Sequence, residues 1–269
     1  MTLLKYIILG IIQGVTEPLP ISSSGHIFII KKLFNTNMFN DLNFEIFVNF
    51  ASFIAILFIF WGDVKQLVSG FFKYIFNSNN RNKYKNEFVY SLMIIIGSIP
   101  VGILGVLFKD TIENTLTKTW IVGIMFIITA IALLLVRNIN GEKKDFDITI
   151  KDALIIGLFQ AIALFPGLSR SGMVLVGCLL CKLNRESSLK YTFMLYFPVS
   201  VATMLLGVKD VLEVGISVNI IYYIVGMLFS FIFTILTYKI LSNMVKNGKL
   251  WNFSIYLIII GIFVLLYFI

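Results

Sequence analysis

The sequence is poor in what a soluble protein keeps at its surface. Only 13% of its 269 residues are charged, against about 25% in an ordinary soluble domain. That is too little to cover a chain that is 58% hydrophobic, so a soluble globule is excluded and a polytopic membrane protein is indicated. Cysteine is nearly absent. Cys178 and Cys181 lie together in the apolar run MVLVGCLLC, and with no second pair and no neighbouring histidine they make neither a zinc nor a redox site. They read as buried membrane-helix residues. The N-terminal apolar run has no basic n-region and no A-x-A site, so a cleaved signal peptide is not expected. The net charge of +8 would suggest nucleic acid in a soluble protein. Here it reads as basic loops facing the cytoplasm and anionic headgroups, with no nucleic-acid partner.

Histidine is rarest of all. The single one, His26, closes the stretch EPLPISSSGH, which also holds Glu17, three serines and two of the five prolines. This polar, helix-breaking segment interrupts an otherwise apolar run.

Six segments come close to the roughly 20 residues that cross a bilayer: 44–61, 88–108, 120–136, 191–207, 218–238 and 252–269. Four others, 1–16, 22–34, 153–165 and 172–183, are too short or broken, and they form two pairs, each split by a Pro/Gly/Ser-rich break. A shift of 147 positions lays GIIQGVTEPLPISSSGH over GLFQAIALFPGLSRSGM without a gap, matching Gln13 to Gln160 and S-x-S-G to S-x-S-G. The loops 62–87, 137–152 and 239–250 are the basic ones, whereas 109–119 and 208–217 hold three lysines between them. The positive-inside rule then places the first three in the cytoplasm. Six spans satisfy this only if each short pair enters and leaves on one side, one from each face, which inverts the two halves; Lys31 and Lys32 near the outer side are the one blemish. The expected fold is an all-α integral membrane protein of about six transmembrane helices plus two re-entrant helix pairs. It forms one membrane domain with repeat halves of about 1–136 and 153–269. Non-helical backbone at membrane depth survives only inside protein or beside a wet cavity, and corresponding breaks in inverted halves mark a binding site.

The breaks carry chemistry. Gln13 and Glu17 share one helix face, Pro18 and Pro20 stop that helix, and Ser22, Ser23 and Ser24 are natural caps of the next, with His26 in its first turn. The second break offers Ser169, Arg170 and Ser171 after Pro166-Gly167. Two serine-capped helix N-termini aimed at one spot make an anion site, and the Arg170 fork suits phosphate. Glu17 is a ligand for a divalent cation or a proton acceptor. His26 is a nucleophile or general acid/base, a serine is the second candidate nucleophile, and the set is a phosphoryl-transfer kit. The bland readings are a satisfied polar histidine and serines that only cap helices. An intramembrane Glu or Arg is functional by default.

TEPLPISSSGH and PGLSRSG resemble the two signature motifs of the undecaprenyl-diphosphate phosphatase family, the bacitracin-resistance phosphatases of bacterial membranes. That family carries (E/Q)-x-x-x-E leading into F-L-P-[IV]-S-S-[ST]-G-H, and later P-G-x-S-R-S-x-x-T. The likeness spans essentially the whole chain and includes NFEIFV at 43–48 and FMLYFPVSVA at 193–202. It implies Gln13 and Glu17 for the acidic motif, Ser22, Ser23 and His26 for the serine-histidine motif, and Ser169, Arg170 and Ser171 for the second. It also implies loss of the terminal phosphate from a polyprenyl diphosphate, help from Mg²⁺ or Ca²⁺, and recycling of the lipid carrier for peptidoglycan. Six spans and two re-entrant pairs in an inverted repeat, in the bacterial cell membrane, are the fold and location implied. The resulting assignment is Glu17, His26, Ser23 and Arg170 as catalytic, Ser22, Ser24, Ser169, Arg170 and Ser171 as phosphate-binding, and Glu17 with Gln13 as metal ligands. The implied partners are the polyprenyl diphosphate and membrane lipids, with the oligomeric state, a homodimer included, left open. Three positions depart from the family pattern: Pro18 stands for Phe, Gln13 is the neutral choice, and Val174 replaces a threonine. The competing functions are a polyprenyl-phosphate or anion transporter (flippase) on the same fold, and a non-catalytic homologue that senses or sequesters lipid.

Overall fold

In this computed structural model residues 2–34, 42–108, 118–214 and 220–268 are described. Of the two lysine-poor loops expected outside, 109–119 lies largely outside these residues, whereas 208–214 are helical and only 215–217 lie outside them. Eleven α-helices make up the described fold: α1 (Thr2–Thr16), α2 (Ser23–Phe34), α3 (Leu42–Ile59), α4 (Trp61–Phe76), α5 (Arg81–Leu107), α6 (Thr119–Val136), α7 (Ile150–Ile162), α8 (Arg170–Leu180), α9 (Arg185–Val214), α10 (Ile220–Lys246) and α11 (Trp251–Phe268). Among the described residues there is no strand, only one isolated bridge between Lys143 and Leu183.

Four of these helices, α5, α6, α10 and α11, are long and apolar enough to cross a membrane, and α3 with α4 is a broken fifth candidate. Their outward faces are bare aliphatic surface: Ile95, Ile99 and Ile103 on α5, and Ile224, Leu228, Ile232 and Leu236 on α10. In water such stripes would aggregate; in lipid they are the solvent-facing side. The chain is an all-α, multi-pass integral membrane protein. The expected segment 191–207 lies within the 30-residue α9, whose first turns carry Arg185, Glu186 and Lys190.

The longest expected loop is also largely helical. Residues 62–87 were expected to be a basic loop, but most of them are helical, as α4 and the first turns of α5. α4 leaves α3 at a 77° bend. Along it Trp61, Val68, Phe72 and Phe76 are exposed at seven- and four-residue spacing, with Lys65 and Lys73 among them. That is the pattern of a helix lying at a membrane interface, and its scattered charges disguise it as a loop.

The short helices end or begin at the two breaks. α1 stops at Thr16 because Pro18 and Pro20 follow, and α7 stops before Pro166-Gly167. Every residue of α8 from Gly172 to Leu179 is buried, which is how a segment too short to cross the bilayer is kept from lipid. α1 lies along α10 and α7 along α5. Both contacts close on glycine. A Cβ on Gly10 would sit 2.3 Å from the Gly226 carbonyl oxygen, and one on Gly157 would sit 2.3 Å from that of Gly97. Small residues at crossings let membrane helices approach to backbone contact. The same close approach brings α7 against Pro100, the proline within α5.

The core is one large cluster in which Phe126, Leu133, Ile156, Val174, Leu179, Tyr191 and Phe193 are almost wholly enclosed. Cys178 and Cys181 are buried there and unbridged. Beside it the segment before α7 is pinned by charge. Lys143 Nζ donates to both Asp152 oxygens at 2.9 and 2.8 Å, and Thr149 and Asp152 cap the helix reciprocally. Burial alone would raise the Asp152 carboxyl, but the bonds from Lys143 and Thr149 prevail and hold it below the usual carboxylate value.

Candidate active site

The two breaks meet. Ser171 Oγ donates to the Leu19 carbonyl at 3.0 Å, and Arg170 Nη2 lies 3.5 Å from Glu17 Oε1. The local chemistry of the breaks matches as well. Ser22 Oγ accepts from the Gly25 amide at 3.3 Å, and Ser169 Oγ from the Gly172 amide at 3.1 Å, so each serine caps the half-helix that follows. Ser22 shares a hydrogen bond with Ser24 at 3.4 Å, and Ser169 with Ser171 at 3.3 Å. Ser22 does this with a φ of +69°, a left-handed conformation that is rare outside glycine and gathers at functional sites.

Between the breaks lies a cavity of about 380 Å³. Its lining takes Gln13, Glu17, Asn49 and Ser22–Ser24 from the first half of the chain and Gln160, Leu164, Ser169–Ser171 and Tyr196 from the second. Glu17 is the centre of its bonding. Its Oε2 accepts from Ser23 Oγ at 2.5 Å and from Gln13 Nε2 at 3.0 Å, while Arg170 faces Oε1. A short hydroxyl-to-carboxylate bond is charge-assisted, and it is the arrangement by which a carboxylate can take a serine proton. Gln13 Nε2 also donates to Asn49 Oδ1 at 2.5 Å. The guanidinium of Arg170 lies 5.0 Å over the Tyr196 ring, a cation–π seat that keeps the fork at the cavity.

Eight of the nine residues expected at the site, Gln13, Glu17, Ser22, Ser23, Ser24, Ser169, Arg170 and Ser171, line this cavity. The ninth does not. His26 is turned away from it into the protein, only 5% exposed. It donates from Nδ1 to the Ser22 carbonyl at 2.7 Å, which leaves Nε2 to accept from the Tyr256 hydroxyl at 2.7 Å. Its ring lies 5.6 Å from that of Tyr256 at an interplanar angle of 8°. With both nitrogens engaged, the imidazole braces the first turn of α2.

Sequence reasoning missed Asn49 and Tyr196. Asn49 had a signal, being the one carboxamide in the expected span 44–61, where a polar side chain is costly. Tyr196, an aromatic in an apolar helix, had none. Among the described residues no cluster of three or more His, Cys, Asp or Glu side chains could hold a metal alone. The donor set nonetheless suits a hard cation that brings its phosphate with it. Magnesium is commonly held by one or two carboxylates plus substrate oxygens, and Glu17 with the side-chain oxygen of Gln13 offers that. Val174, where the family motif has threonine, is 1% exposed in the cavity wall and adds no hydroxyl.

Fold and site together define a class: a multi-pass membrane protein with a cavity between two interrupted helices, lined by serines, a carboxylate and a guanidinium. Residues 6–263 match the model of the family described as Bacitracin resistance protein BacA. The chain is 40% identical over 266 residues to undecaprenyl-diphosphatase 2 of Bacillus thuringiensis, covering 98% of this chain and 97% of that one. It is 38% identical over 269 residues to undecaprenyl-diphosphatase of Oceanobacillus iheyensis, covering 99% and 97%. The chain belongs to the BacA family.

Proposed function

We propose that the protein is an undecaprenyl-diphosphate phosphatase of the bacterial cell membrane. It releases the terminal phosphate, returns the lipid monophosphate to peptidoglycan synthesis, and so confers bacitracin resistance. The observation that carries this reading is the 2.5 Å bond from Ser23 Oγ to Glu17 Oε2, beside Arg170.

In this reading Ser23 is the nucleophile. Glu17 takes the hydroxyl proton as Oγ attacks the terminal phosphorus, and the bond to the bridging oxygen breaks, releasing the lipid monophosphate. Glu17 hands that proton to the departing monophosphate; water then attacks the phosphoserine, its proton passing to Glu17 and on to Ser23 Oγ as phosphate leaves. The Arg170 fork and the two half-helix N-termini hold the phosphate oxygens while charge shifts among them. A divalent cation, Mg²⁺ or Ca²⁺, belongs to the same reading: Glu17 and Gln13 would hold it, and it would offset phosphate charge. His26 is a positioning residue, fixing the turn that presents Ser22 and Ser23. Transport of the same anion has no use for a serine held on a carboxylate.

The reading also takes the chain as one domain of two inverted halves with six spans. The paired caps at Ser22 and Ser169, and the paired glycine crossings at Gly10 and Gly157, support it.

The test is phosphate release from undecaprenyl and farnesyl diphosphates by purified protein, with and without EDTA. Release from both, lost with EDTA, is expected. Labelled lipid phosphate that crosses liposomes with no phosphate released would replace the reading with transport.

A further inference from the structure

One buried polar group has no use in this account. Gln160, in the last turn of α7, is 1% exposed, and both of its carboxamide atoms lack a hydrogen-bond partner. The side chain lies in the cavity wall. A buried carboxamide without partners is costly, and buried polar groups in folded proteins are almost always satisfied. Something that occupies the cavity is the natural partner.

The sequence shows how the deficit arose. Gln160 stands 147 positions on from Gln13, whose carboxamide is satisfied by Glu17 and Asn49. At the same shift, Glu17 corresponds to Leu164 and Asn49 to Tyr196. Both partners of the glutamine are thus replaced by residues that cannot serve it as Glu17 and Asn49 serve Gln13. Yet all three, Gln160, Leu164 and Tyr196, line the cavity. One half sets a carboxylate, Glu17, one turn from its glutamine. The other keeps the carboxamide and sets an aliphatic side chain one turn from it.

We propose that Gln160 is a substrate-binding residue whose carboxamide hydrogen-bonds the lipid-linked phosphate, the one that stays on the polyprenyl chain after cleavage. This rests on the phosphatase reading above. Glu17, Ser23 and Arg170 account for the transferred phosphate and leave the other one without a seat. The lipid-linked phosphate is the one bonded to hydrocarbon, so its seat must combine a hydrogen-bond donor with apolar surface. Gln160 Nε2 next to Leu164 is that combination. A neutral donor also suits a group that must depart as product: a lysine or arginine there would bind the more highly charged monophosphate more tightly and hold it back.

The test compares wild type with Gln160→Leu and Gln160→Glu, measuring binding of farnesyl monophosphate and of inorganic phosphate to full-length protein in detergent. Both substitutions should weaken farnesyl monophosphate binding by about tenfold or more and leave inorganic phosphate unaffected. Thermal stability of ligand-free Gln160→Leu should equal or exceed wild type, because an unsatisfied buried carboxamide is removed. A carboxamide with a structural role would behave oppositely, so lost stability with unchanged lipid-phosphate affinity overturns the proposal. So does unchanged affinity alone. If wild type releases no phosphate from any lipid diphosphate, the phosphatase reading falls by itself, and the binding comparison still decides the role of Gln160.

Discussion

Ser23, Glu17 and Arg170 show how little the membrane interior tolerates a polar group without a purpose. Each would be expensive alone in hydrocarbon; together each supplies what the others lack. Replacing Ser23 by Ala removes the nucleophile and should lower phosphate release at least a thousandfold. Turnover within tenfold of wild type would move the nucleophile elsewhere. His26→Phe should act differently. It takes the ring partner from the Tyr256 hydroxyl and leaves the Ser22 carbonyl only the bond from the residue-26 amide, at a cost of about 1–3 kcal/mol. Activity should fall about tenfold through a misplaced α2 turn, and the pH profile of what remains should keep its wild-type shape. A profile that loses one limb would return His26 to acid–base work. At this scale the sequence told which polar residues of the two breaks line the cavity, but not which way His26 points. Polar residues in an apolar background announce themselves, so Gln13, Glu17, the serines and Arg170 were all legible. The direction in which the His26 ring points depends on Tyr256, 230 residues away, and no local pattern encodes it.

At the scale of the helix, span length and proline placement decide most of what is seen. The half-helices α1, α2, α7 and α8 were legible because Pro18, Pro20 and Pro166 end them and serines restart them. The bent α4 was not, because an amphipathic helix with scattered lysines and a basic loop share one composition. The crossings at Gly10 and Gly157 are set by backbone contact, so a side chain there has no room to turn aside. Gly157→Val should destabilise by about 1–3 kcal/mol or more and displace α7 from α5. Thermal unfolding in detergent would show it, and a midpoint equal to wild type would mean the crossing is loose. Because α7 carries Gln160, the same variant should also weaken binding of farnesyl monophosphate.

Across the whole molecule most ion pairs lie away from the cavity, among them Lys143 with Asp152 and Lys190 with Asp63 and Asp145. Asp152, held below the usual carboxylate value by Lys143 and Thr149, stabilises the fold at pH values above the unfolded carboxylate pKa of about 3.9. That contribution disappears as pH falls through the lower folded value. Asp152→Ala removes both the ion pair and the cap, and should cost about 1 kcal/mol at neutral pH. The gap from wild type should narrow on acidification. A gap that stays constant down to pH 3 would show that the carboxylate charge contributes nothing. The overall class was legible from hydropathy alone, since backbone in lipid has few options. The convergence of two breaks 147 residues apart was legible only through their likeness.

The two enclosed cysteines have a practical consequence for orientation mapping. Cys178 is wholly buried and Cys181 nearly so, so the native chain should be silent to a membrane-impermeant maleimide and needs no thiol removed before probes are introduced. A cysteine placed at Lys83 should then label in inverted vesicles and stay dark in intact cells. The chain thus comes with its own blank background on which each loop can be assigned a side.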